Sequence, residues 1–239
     1  MKETLLEISK MIDHAVLHPM QNDTDLAYGC ALGKKYNVAS VCVKPYQVKK
    51  AVASLSGTGV MVGTVIGFPH GANTTEVKLF ECRKAIEEGA AELDMVVNIG
   101  KLIQQDFDYI LNEITQANKL CINSKVLLKV IFETDYIDEK ASIIELCGIC
   151  NKAEVAFIKT STGFGFNKNE KGAYSYVGAN EENVRLMIKH SNRDVKVKAS
   201  GGIKTLEQVL KYKHMGVERI GTSATADIME EAIRIIEKN

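Results

Sequence analysis

The chain has 239 residues, 46% of them apolar and 25% charged, enough to fill a core and to exclude a disordered chain. Acidic and basic residues number 30 each, so no bulk charge draws the chain to nucleic acid or to a membrane surface. No run of 18 apolar residues occurs to span a bilayer, and Met1-Lys2-Glu3-Thr4 opens no apolar leader, so the expected setting is cytoplasmic.

In chain order, apolar, strand-like runs occur at Ile12 to Leu17, Val38 to Val43, Val60 to Phe68, Glu92 to Asn98, Val126 to Phe132, Val155 to Thr160, Val195 to Ala199 and Arg219 to Thr222. A helix-period segment follows each. Thr75 to Glu88 carries Leu79, Cys82 and Ile86 on one side, and Ala226 to Glu237 carries Ile228, Ala232, Ile235 and Ile236. Asn73 with Glu76 and Thr205 with Gln208 read as capping boxes. Gly89 and Gly216 sit where a helix ends and a strand begins, which predicts left-handed C-caps. Eight strand–helix units without a linker predict an α/β fold. The even spacing and near-continuous apolar strands favour a closed (β/α)8 TIM barrel over a doubly wound open sheet, with residues 1–239 as one domain.

The six cysteines, Cys30, Cys42, Cys82, Cys121, Cys147 and Cys150, are scattered through apolar segments, as expected of reduced, buried thiols. Cys147 and Cys150 have CxxC spacing. They also continue the apolar stripe of Ile143 and Leu146, and no second ligand pair stands nearby, so a core helix face is expected and no metal site.

In a (β/α)8 barrel the chemistry lies at the C-terminal ends of the strands. Asp13, Asp94, Lys129, Lys159 and Lys198 are charged residues placed toward those ends of otherwise apolar runs. A single such lysine can reach solvent along its own stem. Five charged residues at corresponding positions point to a site. Two lysines facing one pocket have a chemical use, because one cation opposes protonation of the other and a neutral amine attacks carbonyls. After the last two strands come Ser200-Gly201-Gly202-Ile203-Lys204 and Gly221-Thr222-Ser223-Ala224. Each turn alone can be a plain βα connection, but the two together after the last two strands predict a phosphate site built from backbone N–H groups, with Ser223 as a hydroxyl donor and Lys204 as a point charge. Gly163-Phe164-Gly165 is no dinucleotide fingerprint, since Lys168 stands at the third glycine position.

Taken together, Ile12-Asp13-His14, Val41-Cys42-Val43, Gly67-Phe68-Pro69, Glu92 to Asn98, Leu128-Lys129-Val130-Ile131, Phe157 to Gly163, Val197 to Gly202 and Ile220 to Ser223 give a chain that resembles the 2-deoxyribose-5-phosphate aldolases, from about Ile12 to Asp227. The resemblance implies a class I aldolase on a TIM barrel that needs no metal or cofactor. Its substrate would be a phosphorylated sugar and its assembly a homodimer. It assigns Lys159 as the Schiff-base lysine, Lys198 as the lysine that depresses its pKa, and Asp94 as the acid/base carboxylate. Asp13, Cys42, Lys129 and Thr162 would line the pocket. Gly163, Gly201, Gly202, Lys204, Gly221 and Ser223 would hold the phosphate.

Three departures bear on substrate choice. His18 precedes Pro19 where a lysine is common, and His70 follows Pro69 where an apolar residue is common. His14 and His18 read as polar strand-end residues. The stretch from Phe164 to Gly178, with Asn167, Asn169, Tyr174 and Tyr176, is long, and is either a lid over the pocket or a neutral surface insertion. The chain ends at Glu237-Lys238-Asn239 without the tyrosine-ended tail of some family members.

Overall fold

The computed structural model describes residues 2–168 and 171–237; Met1, Asn169, Lys238 and Asn239, which figure in the sequence reading, lie outside them. The elements run α1 (Lys2–Met11), β1 (Ile12–Val16), α2 (Asp23–Tyr36), β2 (Ser40–Val43), α3 (Val48–Leu55), β3 (Met61–Ile66), α4 (Thr75–Glu87), β4 (Glu92–Val96), α5 (Ile99–Ile103), α6 (Phe107–Asn123), β5 (Leu127–Ile131), α7 (Lys140–Lys152), β6 (Phe157–Lys159), β7 (Asn167–Lys168), β8 (Tyr174–Ser175), α8 (Glu181–His190), β9 (Lys196–Ser200), α9 (Leu206–Met215), β10 (Arg219–Thr222) and α10 (Thr225–Glu237).

The eight expected strands close into one parallel barrel in the order β1-β10-β9-β6-β5-β4-β3-β2. Helices are needed on the outside because the outer faces of the strands are mainly apolar. Ile12, Val41, Leu93, Leu128, Val130, Ile158, Ala199 and Ile220 are buried there against helix residues such as Ile110, Ile114, Leu146, Val184 and Ile228 in one continuous core. Cys147 and Cys150 belong to that core, and all six cysteines are free and buried. The β7–β8 hairpin lies apart from the barrel, in the stretch after the sixth barrel strand.

The caps are local consequences of sequence. Thr205 and Gln208 form the expected box at α9, and Gly216 caps its end at φ 99°. Asn22 and Asp25 form a box at α2 that the sequence reading passed over. Asn73 does not cap α4. Thr74 occupies the N-cap, and Asn73 instead donates to Glu81 Oε1 at 2.9 Å, because Glu81 already receives Gly67 N. On α10, Ile228, Met229 and Ala232 face the core, whereas Ile235 is 48% exposed, since the stripe drifts off the contact in the last turn. Helix α1 had no counterpart in the strand–helix count; it packs beside α10 below β10.

The inner face of the barrel departs from the usual filling of bulky branched side chains. Strand register sets Asp94 beside Lys129, Lys159 beside Lys198, and Asp13 between Ser40 and Gly221. Period two then points Glu92 with Asp94, and Arg219 with Gly221, to the same interior. The result is a charged layer inside an apolar wall.

Candidate active site

Asp94 is the centre of the layer. Its Oδ2 accepts hydrogen bonds from Lys159 Nζ and Lys198 Nζ, each at 2.8 Å, and its Oδ1 accepts from Lys129 Nζ at 2.9 Å. Lys129 also donates to Glu92 Oε2 at 2.5 Å. Lys198 lies 2.6 Å from Asp13 Oδ2, an ion pair outside hydrogen-bond geometry. Arg219 spans the far side, donating to Asp13 Oδ1 and to Glu92 Oε1, with its guanidinium 5.6 Å from the centre of the Phe157 ring. Ser40 Oγ completes Asp13 Oδ1 at 2.7 Å. All of these charged groups are buried.

Burying so many charges is costly unless they compensate one another. Among the described residues the layer holds three carboxylates, Asp13, Glu92 and Asp94, against four cations, Lys129, Lys159, Lys198 and Arg219. One cation is therefore in excess. Lys129 faces all three carboxylates, which overcome its burial and hold its pKa well above the ordinary lysine value. For Lys198, burial lowers the pKa, but Asp13 and Asp94 outweigh it and the net shift is upward. Arg219 is likewise shifted up: burial works against it, and the Asp13 and Glu92 charges prevail. Among the described residues, Lys159 Nζ pairs with only one carboxylate, Asp94. Burial is the largest influence on it, Asp94 opposes, Lys198 reinforces, and the net shift is downward. Burial pushes Asp94 up, yet the three lysines around it win and hold it well below the usual carboxylate range.

A cavity of about 700 Å³ opens above this layer, at the C-terminal end of the barrel. Its lining includes the sequence-derived residues Asp13, Cys42, Lys159, Thr162, Gly163, Lys198, Gly201, Gly202, Lys204, Gly221 and Ser223. Asp94 and Lys129 are not in the lining; Asp94 lies beneath the floor in contact with Lys159 and Lys198, which form it, and Lys129 bonds Asp94. The charged side chains also sit deeper than strand ends. Asp13, Asp94, Lys129 and Lys198 are mid-strand, and Lys159 alone is a last residue.

At one end of the cavity the backbone is glycine-rich. Gly201 and Gly202 adopt φ of 92° and 79°, a region closed to ordinary side chains. A Cβ on Gly221 would meet Ser200 Cβ at 2.8 Å. Helix α10 begins at Thr225, just past Ser223, and its N-terminal dipole favours an anion there. On another side, Leu17 and Cys42 cluster with Val65, Ala15, Phe68 and Phe164. Burial raises the Cys42 thiol to about 12, so it is a neutral apolar contact.

The hairpin stretch reaches the cavity. Phe164, Phe166 and Tyr176 line it with His18, Phe166 stacks on Tyr174 at 4.1 Å, and Phe164 meets Phe68 edge-on at 5.4 Å. His18 tilts against Phe164 at 6.4 Å, whereas His70 is exposed. His14 is not a strand-end group. It is buried on the outer face of β1, where Nδ1 meets Thr225 Oγ1 at 2.9 Å, and burial lowers its pKa to about 4.

Glu92 and Arg219 carried a signal in the sequence, since each lies two residues before a site residue on an inward strand face. Glu133 carried none. It follows β5 with φ 55°, is fully buried, and takes Thr162 N on both carboxyl oxygens at 3.3 and 3.2 Å, with Thr162 Oγ1 on Oε2. Burial pushes its pKa up to about 7 against the pull of those donors.

Residues 8–225 match the family described as DeoC/LacD family aldolase. A deoxyribose-phosphate aldolase of Treponema denticola is 44% identical over 219 residues, 92% of this chain and 96% of that protein. One from Thermococcus gammatolerans is 44% identical over 95% of this chain and 97% of its own length. Among solved structures, a chain from Coccidioides immitis described as a deoxyribose-phosphate aldolase superposes with a TM-score of 0.87 at 35% identity, covering 96% of this chain and 87% of its own. A tetrameric deoxyribose phosphate aldolase from Aeropyrum pernix shares the fold, with a TM-score of 0.85 at 24% identity, covering 97% of this chain and 93% of its own.

Proposed function

The chain belongs to the DeoC/LacD aldolase family, and on that premise we propose that it reversibly cleaves 2-deoxy-D-ribose 5-phosphate to D-glyceraldehyde 3-phosphate and acetaldehyde through a Schiff base on Lys159. The observation that carries the reading is the excess cation. Of the four cations in this layer only Lys159 is shifted toward its neutral amine, and Lys159 lines the cavity. An ordinary lysine, with a pKa near ~10.4, is neutral only about 0.04% of the time at pH 7, so a downward shift is what a nucleophilic lysine needs.

In this reading the amine of Lys159 adds to the C1 aldehyde of the open-chain sugar and water leaves, giving a cationic iminium. The proton of the C3 hydroxyl departs through a water to the Lys198–Asp94 pair, the C2–C3 bond breaks, and its electrons pass into the iminium to form an enamine. Glyceraldehyde 3-phosphate leaves. Protonation of the enamine and hydrolysis of the resulting iminium release acetaldehyde and restore Lys159. Asp94 is held so firmly as an anion that it is a weak resting base. Its part is to hold Lys159 and Lys198 on one oxygen and to accept a proton only transiently through Lys198.

The phosphate would lie on the turns at Gly201-Gly202 and Gly221-Ser223, with Lys204 as counter-charge. Asp13, Cys42, Thr162 and Gly163 would shape the space between, and Lys129 would anchor Asp94 and Glu92 from below. One barrel domain spans the chain in this proposal. Six free buried thiols fit a reducing cytoplasm. The homodimer implied by the family resemblance is read by light scattering.

Borohydride trapping tests the reaction. The protein is incubated with 2-deoxyribose 5-phosphate, reduced, digested and weighed. A mass adduct on Lys159 is expected. A folded protein that gives no adduct, or one on Lys198 instead, overturns the assignment.

A further inference from the structure

Glu133, Asp135 and Tyr136, in the loop after β5, are not themselves in the cavity lining, yet they hold both ends of the stretch that follows Lys159. Glu133 receives Thr162 N on its carboxyl oxygens and Thr162 Oγ1 on Oε2; Thr162 Oγ1 in turn accepts Phe164 N at 2.9 Å. Two residues on, Asp135 receives Val177 N on Oδ2 at 2.7 Å and Gly178 N on Oδ1 at 2.8 Å. Tyr136 Oη accepts Phe166 N at 2.8 Å. The fit is close, since a Cβ on Gly165 would lie 2.7 Å from Asp135 Oδ2.

Both held ends converge on Gly201. A Cβ on Gly163 would lie 3.9 Å from Gly201 Cα, and one on Gly178 would lie 2.5 Å from Gly201 O. Ala179 N donates to that same carbonyl at 3.2 Å. The Gly201-Gly202 turn is therefore gripped from two sides by segments whose backbone N–H groups end on carboxyls of one loop. Glu133 is itself fixed. Its backbone lies in the left-handed region, and the next residue, Thr134, donates N–H to Thr160 O at 3.0 Å.

We infer that Glu133 and Asp135 are positioning residues that set the spacing of Gly163, Gly178 and Gly201 and thereby the affinity of the glycine-rich end of the cavity for an anion. This rests on the proposal that the Gly201-Gly202 turn binds phosphate. A backbone N–H presented to an anion must be aimed, and glycine turns do not aim themselves. Carboxyls that take the N–H groups of the flanking segments supply the restraint without meeting the ligand. Gln at position 133 can keep it, since its amide oxygen accepts Thr162 N and its NH2 donates to Thr162 Oγ1. Ala cannot.

The test compares Glu133→Gln, Glu133→Ala and Asp135→Ala by three measurements. These are the dissociation constant of inorganic phosphate by calorimetry, KM and kcat for 2-deoxyribose 5-phosphate, and the rate of borohydride trapping with acetaldehyde, which has no phosphate. Both alanine variants are expected to weaken phosphate binding and raise KM about tenfold, with kcat within about threefold and acetaldehyde trapping unchanged. Glu133→Gln restores phosphate affinity. Phosphate affinity unchanged in both folded alanine variants overturns the inference, and so does a fall in acetaldehyde trapping that parallels the loss of phosphate. If Glu133→Ala does not fold, Asp135→Ala and Glu133→Gln decide by the same measurements. Failure of the wild-type protein to trap any aldehyde refutes the Schiff-base reading alone, because phosphate calorimetry reads the positioning role without turnover.

Discussion

Replacing Lys198 with Met removes one cation from the charged layer while keeping most of the side-chain volume. Lys159 Nζ and Lys198 Nζ each lie 2.8 Å from Asp94 Oδ2, so the two nitrogens are at most about twice that distance apart. At an effective dielectric of about 20, two unit charges at that separation repel by roughly 3 kcal/mol, or about two pKa units. Loss of Lys198 also leaves Asp94 freer to stabilise the charged form of Lys159, which acts in the same direction. The pH midpoint for borohydride trapping of an aldehyde on Lys159 should therefore move up by about two units, which slows trapping near pH 7 by roughly a hundredfold. The initial trapping rate, followed by intact mass from pH 5 to pH 10, reads the midpoint directly. A midpoint that stays in place or falls in a folded Lys198→Met protein would refute the reasoning: burial alone would then account for the shift of Lys159.

Lys159→Met should abolish trapping and raise or preserve the melting temperature, because it removes the uncompensated cation and leaves Asp94 Oδ2 bonded to Lys198. Lys129→Met should cost about 3–5 kcal/mol in denaturant unfolding, because Glu92 Oε2 and Asp94 Oδ1 lose a buried cation; equal stability of the two variants would contradict the charge count. His14 has its folded pKa lowered to about 4, so between that value and its unfolded pKa of about 6.5 the folded state binds fewer protons. Its contribution, about 3 kcal/mol, is complete above the upper value and is lost as pH falls through the window. His14→Gln should flatten the melting temperature across that window, and an unaltered slope would exclude His14 as its source. Gly221→Ala should lower stability by about 1–3 kcal/mol and slow turnover. Its Cβ would press on Ser200 Cβ at 2.8 Å and Lys198 Cε at 3.3 Å, and Ser200 is tied to Ser161 O at 2.5 Å; a crystal structure and kcat together check both effects.

The sequence by itself determined the eight strands, because each is a short apolar run between helix-period segments, and period two with wall-to-wall burial leaves a closed barrel as the natural enclosure. It also singled out Lys159 and Lys198 as candidates, since each stands near the end of a mainly apolar run that leads into a glycine turn. The glycines it offered for the proposed anion end have a local reason too, as φ of 92° and 79° at Gly201 and Gly202 suits residues that lack a Cβ. What it left undecided was depth, partnership and charge. Asp94 lies below the cavity floor with Lys129 bonded to it, Arg219 closes the layer from the opposite strand, and Glu133 reaches Thr162 across two strands' ends. The residues flanking the β7–β8 hairpin, Phe166 and Tyr176 among them, are part of the cavity wall, and Asp135 and Tyr136, which no spacing rule connects to them, hold that flanking backbone. Only tertiary structure decides such matters, because register brings together groups remote in the chain. A pKa then follows from the sum of burial and all neighbouring charges. Within the layer Lys159 is the neutral-leaning lysine because the three carboxylates are satisfied by Lys129, Lys198 and Arg219, a balance that exists only once the barrel has closed.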